Sequence, residues 1–367
     1  MKRKLIIIGI VLVLTLVVVG CFFALPYMDD TATEVNDPTI EEGTREELVV
    51  APVPLAVTMA SVFDYWVRAD DSSIYYVTPG GTILQKTVGQ EAEIVSTLAL
   101  EGLRSVTPSN DGSLAIIEFG PDNQPQFRIF NATSRSWRSL PETVRAATWS
   151  PDATRIAYLE HDELPAGQIT LYLLDIASGV SQRVSSIHLL DAELAWPTAD
   201  ALYISTPASG QAESYLWRYL IGDGTWQLVI GPQRSLAVNW IPDTDRVILF
   251  EPRENSVSVG FLPELVGGER FFKTLPSKCT AAENILYCAV PQDSLPVNFF
   301  DEYHMRGLYT ADSLLAVDFT TEERVTLWLD DFAAPIGIDA YRLEIAGDHL
   351  YFMNRYDGRL YSLELAD

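Results

Sequence analysis

The chain has 367 residues, 48% of them hydrophobic, ample for a sizeable core; length alone suggests two or three domains, a prior that repeat folds break. Fifty acids against 25 bases leave a net charge of −25. That surplus argues against nucleic acid, whose phosphates need cationic partners, and against docking of the folded part on anionic lipid; it leaves cations and basic partners open.

In chain order, the first element is an anchor. Lys2, Arg3 and Lys4 precede an uncharged run from Leu5 to Leu25, in which Thr15 is the only strongly polar side chain. Those 21 residues, at about 1.5 Å each, reach roughly 30 Å as a helix, the depth of a hydrocarbon core. Only a helix satisfies its own backbone there. The cations precede the run, and Asp29 and Asp30 follow it, so the N-terminus is expected in the cytoplasm and the rest outside it. An uncleaved single-pass anchor over residues 1–28 is the preferred reading. A cleaved signal peptide fits less well, because its apolar region is usually shorter and ends in small residues. Val18-Val19-Gly20-Cys21 resembles a lipobox, which would place a lipid on Cys21, although Phe22-Phe23-Ala24-Leu25 stays apolar where lipoproteins turn polar.

Residues 29–46 read as a disordered acidic linker. With Glu47 they carry eight acids, one base (Arg45) and no aromatic residue, too little apolar surface to offset the entropy of ordering. Without the linker and the leading cations the remainder still carries about −21, so the acidity belongs to the folded domain, residues 47–367.

That domain repeats. Pro108-Ser109-Asn110-Asp111-Gly112, Trp149-Ser150-Pro151-Asp152, Trp196-Pro197-Thr198 and Trp240-Ile241-Pro242-Asp243 each end an apolar strand and precede a β-branched or aromatic one. A further copy is Asp70-Asp71-Ser72-Ser73-Ile74-Tyr75-Tyr76, and fainter ones start at Ala282 and Ala346. The prolines at 108, 151, 197 and 242 lie 43, 46 and 45 residues apart, the period of a four-stranded propeller blade. A second hairpin follows each turn, as in Asp175-Ile176-Ala177-Ser178-Gly179. The expected fold is therefore all-β: a β-propeller of seven four-stranded blades, with six as the alternative, after one N-terminal transmembrane helix. The seventh copy lacks a fourth strand, and the orphan apolar segment Glu47-Leu48-Val49-Val50-Ala51 is expected to supply it as the outer strand, closing the ring.

The Trp-Ser-Pro-Asp and Asp-x-x-Ser-Gly patterns over residues 60–367 resemble the TolB-like, WD40-like repeats that also occur in propeller domains of dipeptidyl-peptidase-type enzymes. The resemblance implies architecture more than function, since the matching residues are turn and core positions. In TolB-like proteins the propeller is a protein-binding platform; in the peptidases it caps a hydrolase domain, which is not expected here.

No catalytic residue is assigned. There is no Gly-x-Ser-x-Gly elbow, no helical Ser-x-x-Lys, no Gly-rich phosphate loop and no EF-hand spacing. His161, His188, His304 and His349 are scattered without zinc-ligand spacing, so neither metal nor cofactor is expected. Cys279 and Cys288 flank the turn of the sixth repeat, where an oxidising compartment permits a disulfide and the alternative is two buried thiols.

The best binding candidate comes from topology. Loops joining second to third strands gather on one face with the inter-blade connections: 119–126, 161–168, 206–213, 251–257 and the long 291–313. The last carries Phe299, Phe300, Tyr303, His304 and Arg306, the assigned binding residues, with Asp301, Glu302 and Met305 among them. Asp122, Asp162, Glu163, Glu213, Glu251 and Glu254 would make that face acidic. Alternatively the insertion packs over the disc as a plug. The expected function is a membrane-anchored binding or scaffold module for a protein, peptide or glycan at the cell envelope. An enzyme of hydrolase or lyase type, with a site converging at the central channel, is the alternative, and a plain envelope spacer the third. An open channel lined by carboxylates and histidine speaks for the enzyme; a plugged channel with an exposed aromatic rim speaks for binding.

Overall fold

The computed structural model describes residues 52–87, 89–161, 168–189, 191–241, 244, 246–263, 265–329 and 337–365. The anchor, the linker, Cys21, Asp162 and Glu163 lie outside them. Seven antiparallel sheets of four strands are present, so the period was correctly a blade period and the six-bladed alternative falls. The first strands of the blades are Asp64–Val67, Ser105–Pro108, Val144–Trp149, Glu193–Thr198, Val238–Trp240, Cys279–Ala282 and Ala340–Ala346. Several consecutive ones touch each other around the axis, and residues from six of them line the axial cavities described below. Second strands are sandwiched between neighbouring blades and read as continuous apolar runs; Ile74–Val77 is buried at every position.

The repeated motif is turn chemistry. In the third blade the Arg155 N–H donates to Ser150 Oγ (2.9 Å) and the Thr154 N–H to Asp152 Oδ1 (3.2 Å). The second blade repeats this with Leu114 N–H on Ser109 Oγ (3.0 Å) and Ser113 N–H on Asp111 Oδ1 (3.1 Å). Two tryptophans serve the joints between blades: the Trp149 indole N–H donates to the Thr107 carbonyl (2.9 Å), and that of Trp66 to the Gly112 carbonyl (3.0 Å). Gly112 sits at φ +67°, and a Cβ there would meet the Val67 carbonyl oxygen at 2.3 Å, so only glycine fits.

The ring is closed by an N-terminal strand, as the missing fourth strand requires, but by different residues. Leu55–Ala56 pairs with the last strand in the register Leu55–Ser362 and Ala56–Tyr361, and the expected segment 47–51 lies outside the described residues. The expectation chose the more apolar segment; at the outer edge, however, the strand is exposed at both positions, so apolarity was the wrong guide. What fixes the position is the chain that follows: Val57 N–H donates to the Leu360 carbonyl (2.8 Å) and Leu360 N–H to Thr58 Oγ1 (3.1 Å). Beneath it Tyr65, Val67 and Tyr76 of the first blade pack on Tyr351, Met353 and Leu360 of the seventh. Deleting residues 52–58 is expected to cost about 2–4 kcal/mol, a few backbone hydrogen bonds at roughly 1 kcal/mol each, and to expose an edge that aggregates. Deleting 29–40 should leave the denaturation midpoint unchanged, and equal effects from the two would disprove closure by this strand.

Candidate functional site: the channel and its mouth

The sixth blade contains the insertion, and it folds inward. Between strands Ile285–Pro291 and Asp312–Asp318 lies a short helix, Phe299–His304. Phe299, Phe300 and Tyr303 are 0%, 5% and 5% exposed, packed with Phe250 and Leu275. The expected exposed aromatic rim is therefore corrected: the aromatics hold the helix down, while His304 and Arg306 face solvent with Met305. The cysteines of this blade stand directly opposite each other and are joined, Cys279 to Cys288, with Cα atoms 4.2 Å apart.

Tyr303 rests on a buried charge cluster at the junction of the sixth and seventh blades. Lys278 is fully buried and places Nζ 2.7 Å from Asp312 Oδ2 and 2.6 Å from Asp339 Oδ1. The Tyr303 hydroxyl donates to Asp339 Oδ1 (2.8 Å), and the Arg355 guanidinium lies 3.9 Å from the centre of the Tyr303 ring and 3.4 Å from Asp339 Oδ2. Two cations balance two carboxylates. Burial alone would discharge Lys278, but Asp312, Tyr303 and Asp339 outweigh it and hold the ammonium form. No sequence pattern announces this cluster: Lys278 lies 25 residues from Tyr303 and 61 from Asp339, and its members come from helical turns, a strand start and loops of two blades.

The channel remains open beside the insertion. Its mouth on the loop face is a cavity of about 490 Å³, lined among others by Glu193, Asn239, Trp240, His304 and Arg342. A cavity of about 200 Å³ continues toward the other face and shares Asn239, Trp240, Arg342 and Leu343. A shallower groove of about 670 Å³ runs from the mouth over the second to fourth blades, meeting it at Glu193, Leu194 and Pro207 and carrying Arg104, Glu118, Asp122, Arg145, His161 and Asp191. Arg104 is tied to Glu118 (Nε to Oε1, 2.8 Å) and to Asp122. Of the expected acidic residues, Glu254 is paired with Arg270.

Two groups at the mouth are chemically distinctive. The His304 Nδ1 lies 2.7 Å from the Phe300 carbonyl; a carbonyl only accepts, so Nδ1 carries the proton and Nε2 of the neutral ring is an acceptor at the rim. Glu193 is reached by solvent, yet the crowding of protein around it, followed by the charge of Asp191, raises its pKa, partly offset by Ser205. Arg342 stands at the waist, where the two axial cavities meet. Its Nε donates to Asp64 Oδ1 at 3.0 Å, and the side chain is 43% exposed. The residue occupies a bulge in the first strand of the seventh blade at φ +54°, a strained conformation for a residue with a Cβ. The Tyr65 hydroxyl donates to its carbonyl oxygen and holds it there.

Two residues on, Glu344 accepts the Val67 N–H (3.2 Å), and burial pushes its pKa up to about 7 against the opposing charge of Arg342. Unfolded, this carboxyl titrates near 4.5. Between those values the folded chain binds the extra proton, so stability is expected to fall as pH rises through the window and to level off above it. The change is at most about 3 kcal/mol. Chemical denaturation of Glu344→Gln should show that slope flattened; an unchanged slope would refute the assignment.

Among the described residues no group of three or more His, Cys, Asp or Glu is placed to hold a metal ion, and no helix is long and apolar enough to cross a membrane. The exposed aromatics of the loop face are ones the sequence reading missed. Tyr309, from the same insertion, and Tyr356 stack with centroids 5.5 Å apart and are 44% and 52% exposed. Tyr309 lay in the flagged loop, and its separation from the helix by Gly307 was the available signal.

No family model matches the sequence and no curated protein matches it. Solved structures do. The oligogalacturonate lyase of Vibrio parahaemolyticus superposes with a TM-score of 0.56 at 11% identity, covering 84% of this chain and 90% of that one. The β-propeller domain of the Trilobed protease from Pyrococcus furiosus gives 0.53 at 11% identity over 84% and 99%. The tricorn protease gives 0.53 at 11% identity over 85% of this chain, which spans about a third (34%) of that protein's length. At such identities the likeness is one of fold, and the fold is that of propellers found in peptidases and a lyase.

Proposed function

We propose that this chain is an extracytoplasmic binding module, tethered by residues 1–28, that takes a segment of a protein, peptide or glycan into its channel mouth. The observation that carries the reading is the open mouth. A cavity of about 490 Å³, within the usual ligand-site range of about 300–1,000 Å³, continues into a groove across the loop face, and the aromatic insertion serves as one of its walls. The turn motifs shared with TolB-like repeats, whose propeller is a protein-binding platform, support the same reading.

The test is direct. The full-length chain, reconstituted in detergent, is screened against peptide and oligosaccharide arrays and compared with Pro207→Trp, a bulky residue at an exposed point shared by mouth and groove. Ligands bound by the wild type should be lost by the variant; retention of every ligand would sink the channel as the seat. The tether is tested in parallel by protease added to spheroplasts, which should release the propeller by cutting in 29–46. Diacylglycerol on Cys21, with residues 1–20 gone, would replace the anchor by a lipoprotein.

One observation favours the enzyme as a second reading: the open mouth is lined by a carboxylate of raised pKa, Glu193, and an imidazole, His304. The oligogalacturonate lyase among the similar folds is consistent with it. Glu193→Gln separates the two, since a catalytic carboxylate would be lost with turnover while ligand retention persists.

A further inference from the structure

The channel waist has one guanidinium and an arrangement that leaves it available. Arg342 is the only Lys or Arg among the residues lining the two axial cavities. Asp64 holds its Nε, and Nη2 lies at 3.5 Å from the Val106 carbonyl, the limit of a hydrogen bond. Among the described residues nothing is bonded to Nη1. Asp64 is itself fixed, since the same Oδ1 accepts the Tyr65 N–H (2.9 Å). The bulge and its left-handed backbone put this side chain at the waist at an energetic cost that ordinary strand pairing would avoid. A guanidinium held through Nε presents its end-on edge, Nη1 and Nη2, which matches a carboxylate with two parallel hydrogen bonds.

Resting on the channel reading above, we infer that Arg342 is the anchor for the terminal carboxylate of a peptide that enters the mouth C-terminus first. The rim decides between sources of that carboxylate. Glu193 stands at the mouth and Asp191 beside it in the groove, without a basic partner among the described residues, whereas Glu118 and Asp122 are paired with Arg104; the whole chain carries −25. A polyuronate brings a negative charge with every ring past these groups and is repelled. A peptide tail brings one carboxylate to the waist, and a lysine or arginine a few residues upstream then meets the acidic rim. The ligand class is therefore a peptide with a free C-terminus and a basic residue close to it.

The experiment uses the full-length chain in detergent and fluorescence anisotropy with four probes. Two are pools of a degenerate hexapeptide with lysine fixed at the third position from the end, one with a free carboxylate and one amidated. A third carries glutamate in place of that lysine, and the fourth is a labelled uronate trimer. The wild type should bind the free-acid pool at least tenfold more tightly than the amide and than the glutamate pool. Arg342→Gln should abolish the acid–amide difference, and Arg342→Lys, which keeps charge but not the fork, should restore part of it. Equal binding of acid and amide by the wild type overturns the anchor whatever the variants do, as does a failure of the free-acid pool to bind. Tighter binding of the uronate trimer overturns the peptide assignment. If acid and amide bind equally and Pro207→Trp removes both, the channel is the seat and only the anchor falls; if Pro207→Trp removes neither, the channel reading falls with it.

Discussion

Lys278→Met is expected to destabilise the propeller by about 3–5 kcal/mol, the cost of leaving a buried charge without its partner. The lysine is the hub of a cluster in which it, Asp312 and Asp339 are fully buried. Its ammonium touches Asp312 and Asp339, lies over the face of the Tyr303 ring 4.7 Å from its centre, and donates to Thr310 Oγ1 at 3.0 Å. Removal leaves two carboxylates facing a single cation, Arg355, and one of them must take up a proton. Burial already raises the pKa of Asp312 and Lys278 is the charge that opposes this, so without the lysine it rises further in the folded variant. The deficit should accordingly be smallest in acid, below the unfolded carboxylate value of about 3.9, and should grow as pH climbs toward the raised value. Adding Asp312→Asn to Lys278→Met removes the uncompensated charge and should recover part of the loss. Urea denaturation of the three proteins at two pH values is sufficient. A single variant as stable as the wild type at neutral pH would mean that the cluster does not hold the sixth and seventh blades together.

The architecture was legible because it is written in local chemistry. Proline, aspartate and serine recur at a blade's period because they build the turn between a blade's first two strands, and the second and third blades share one Asx and hydroxyl turn there, Ser109 with Asp111 and Ser150 with Asp152. The disulfide was equally readable: a tight turn over Glu283-Asn284 puts Cys279 opposite Cys288 by counting. The closing strand was located in topology but not in residues, because an exposed two-residue edge has no hydrophobic signature. The channel was not legible. Glu193, His304 and Arg342 come from the fourth, sixth and seventh blades and converge only when the ring closes. Arg342 is one arginine among ordinary strand residues, and its bulge has no glycine or proline to announce it. The insertion misled for a related reason. Aromatics mixed with charges in a long loop fit either an exposed rim or a helix with one buried face, and residues 299, 300 and 303 are spaced for the helix.

That spacing sets up the largest effect expected of any substitution in the insertion. Replacing Phe300 and Tyr303 together by alanine should remove two rings that are each 5% exposed. Burial of this kind is worth about 3–5 kcal/mol per ring when truncated. The two losses should not simply add, because the residues share one helical face and their neighbours relax together. Phe300 packs on Phe250 with ring centroids 5.3 Å apart, so its loss uncouples the helix from the fifth blade. Tyr303 also gives up its hydroxyl bond to Asp339 and the cationic contact with Arg355, which exposes the charge cluster. By contrast Met305→Ala and Arg306→Ala, at exposed positions, should stay within roughly 0.5 kcal/mol of the wild type. Thermal melts of the three proteins without any ligand decide the matter; a double variant that melts with the wild type would return the loop to the status of a free binding surface. If the double variant melts early, loss of ligand retention in it says nothing about contact, since the mouth wall carrying His304 has gone with the helix. A direct role for the insertion in binding then has to be read from the exposed residues alone, His304 and Arg306, whose replacement should alter retention at unchanged stability.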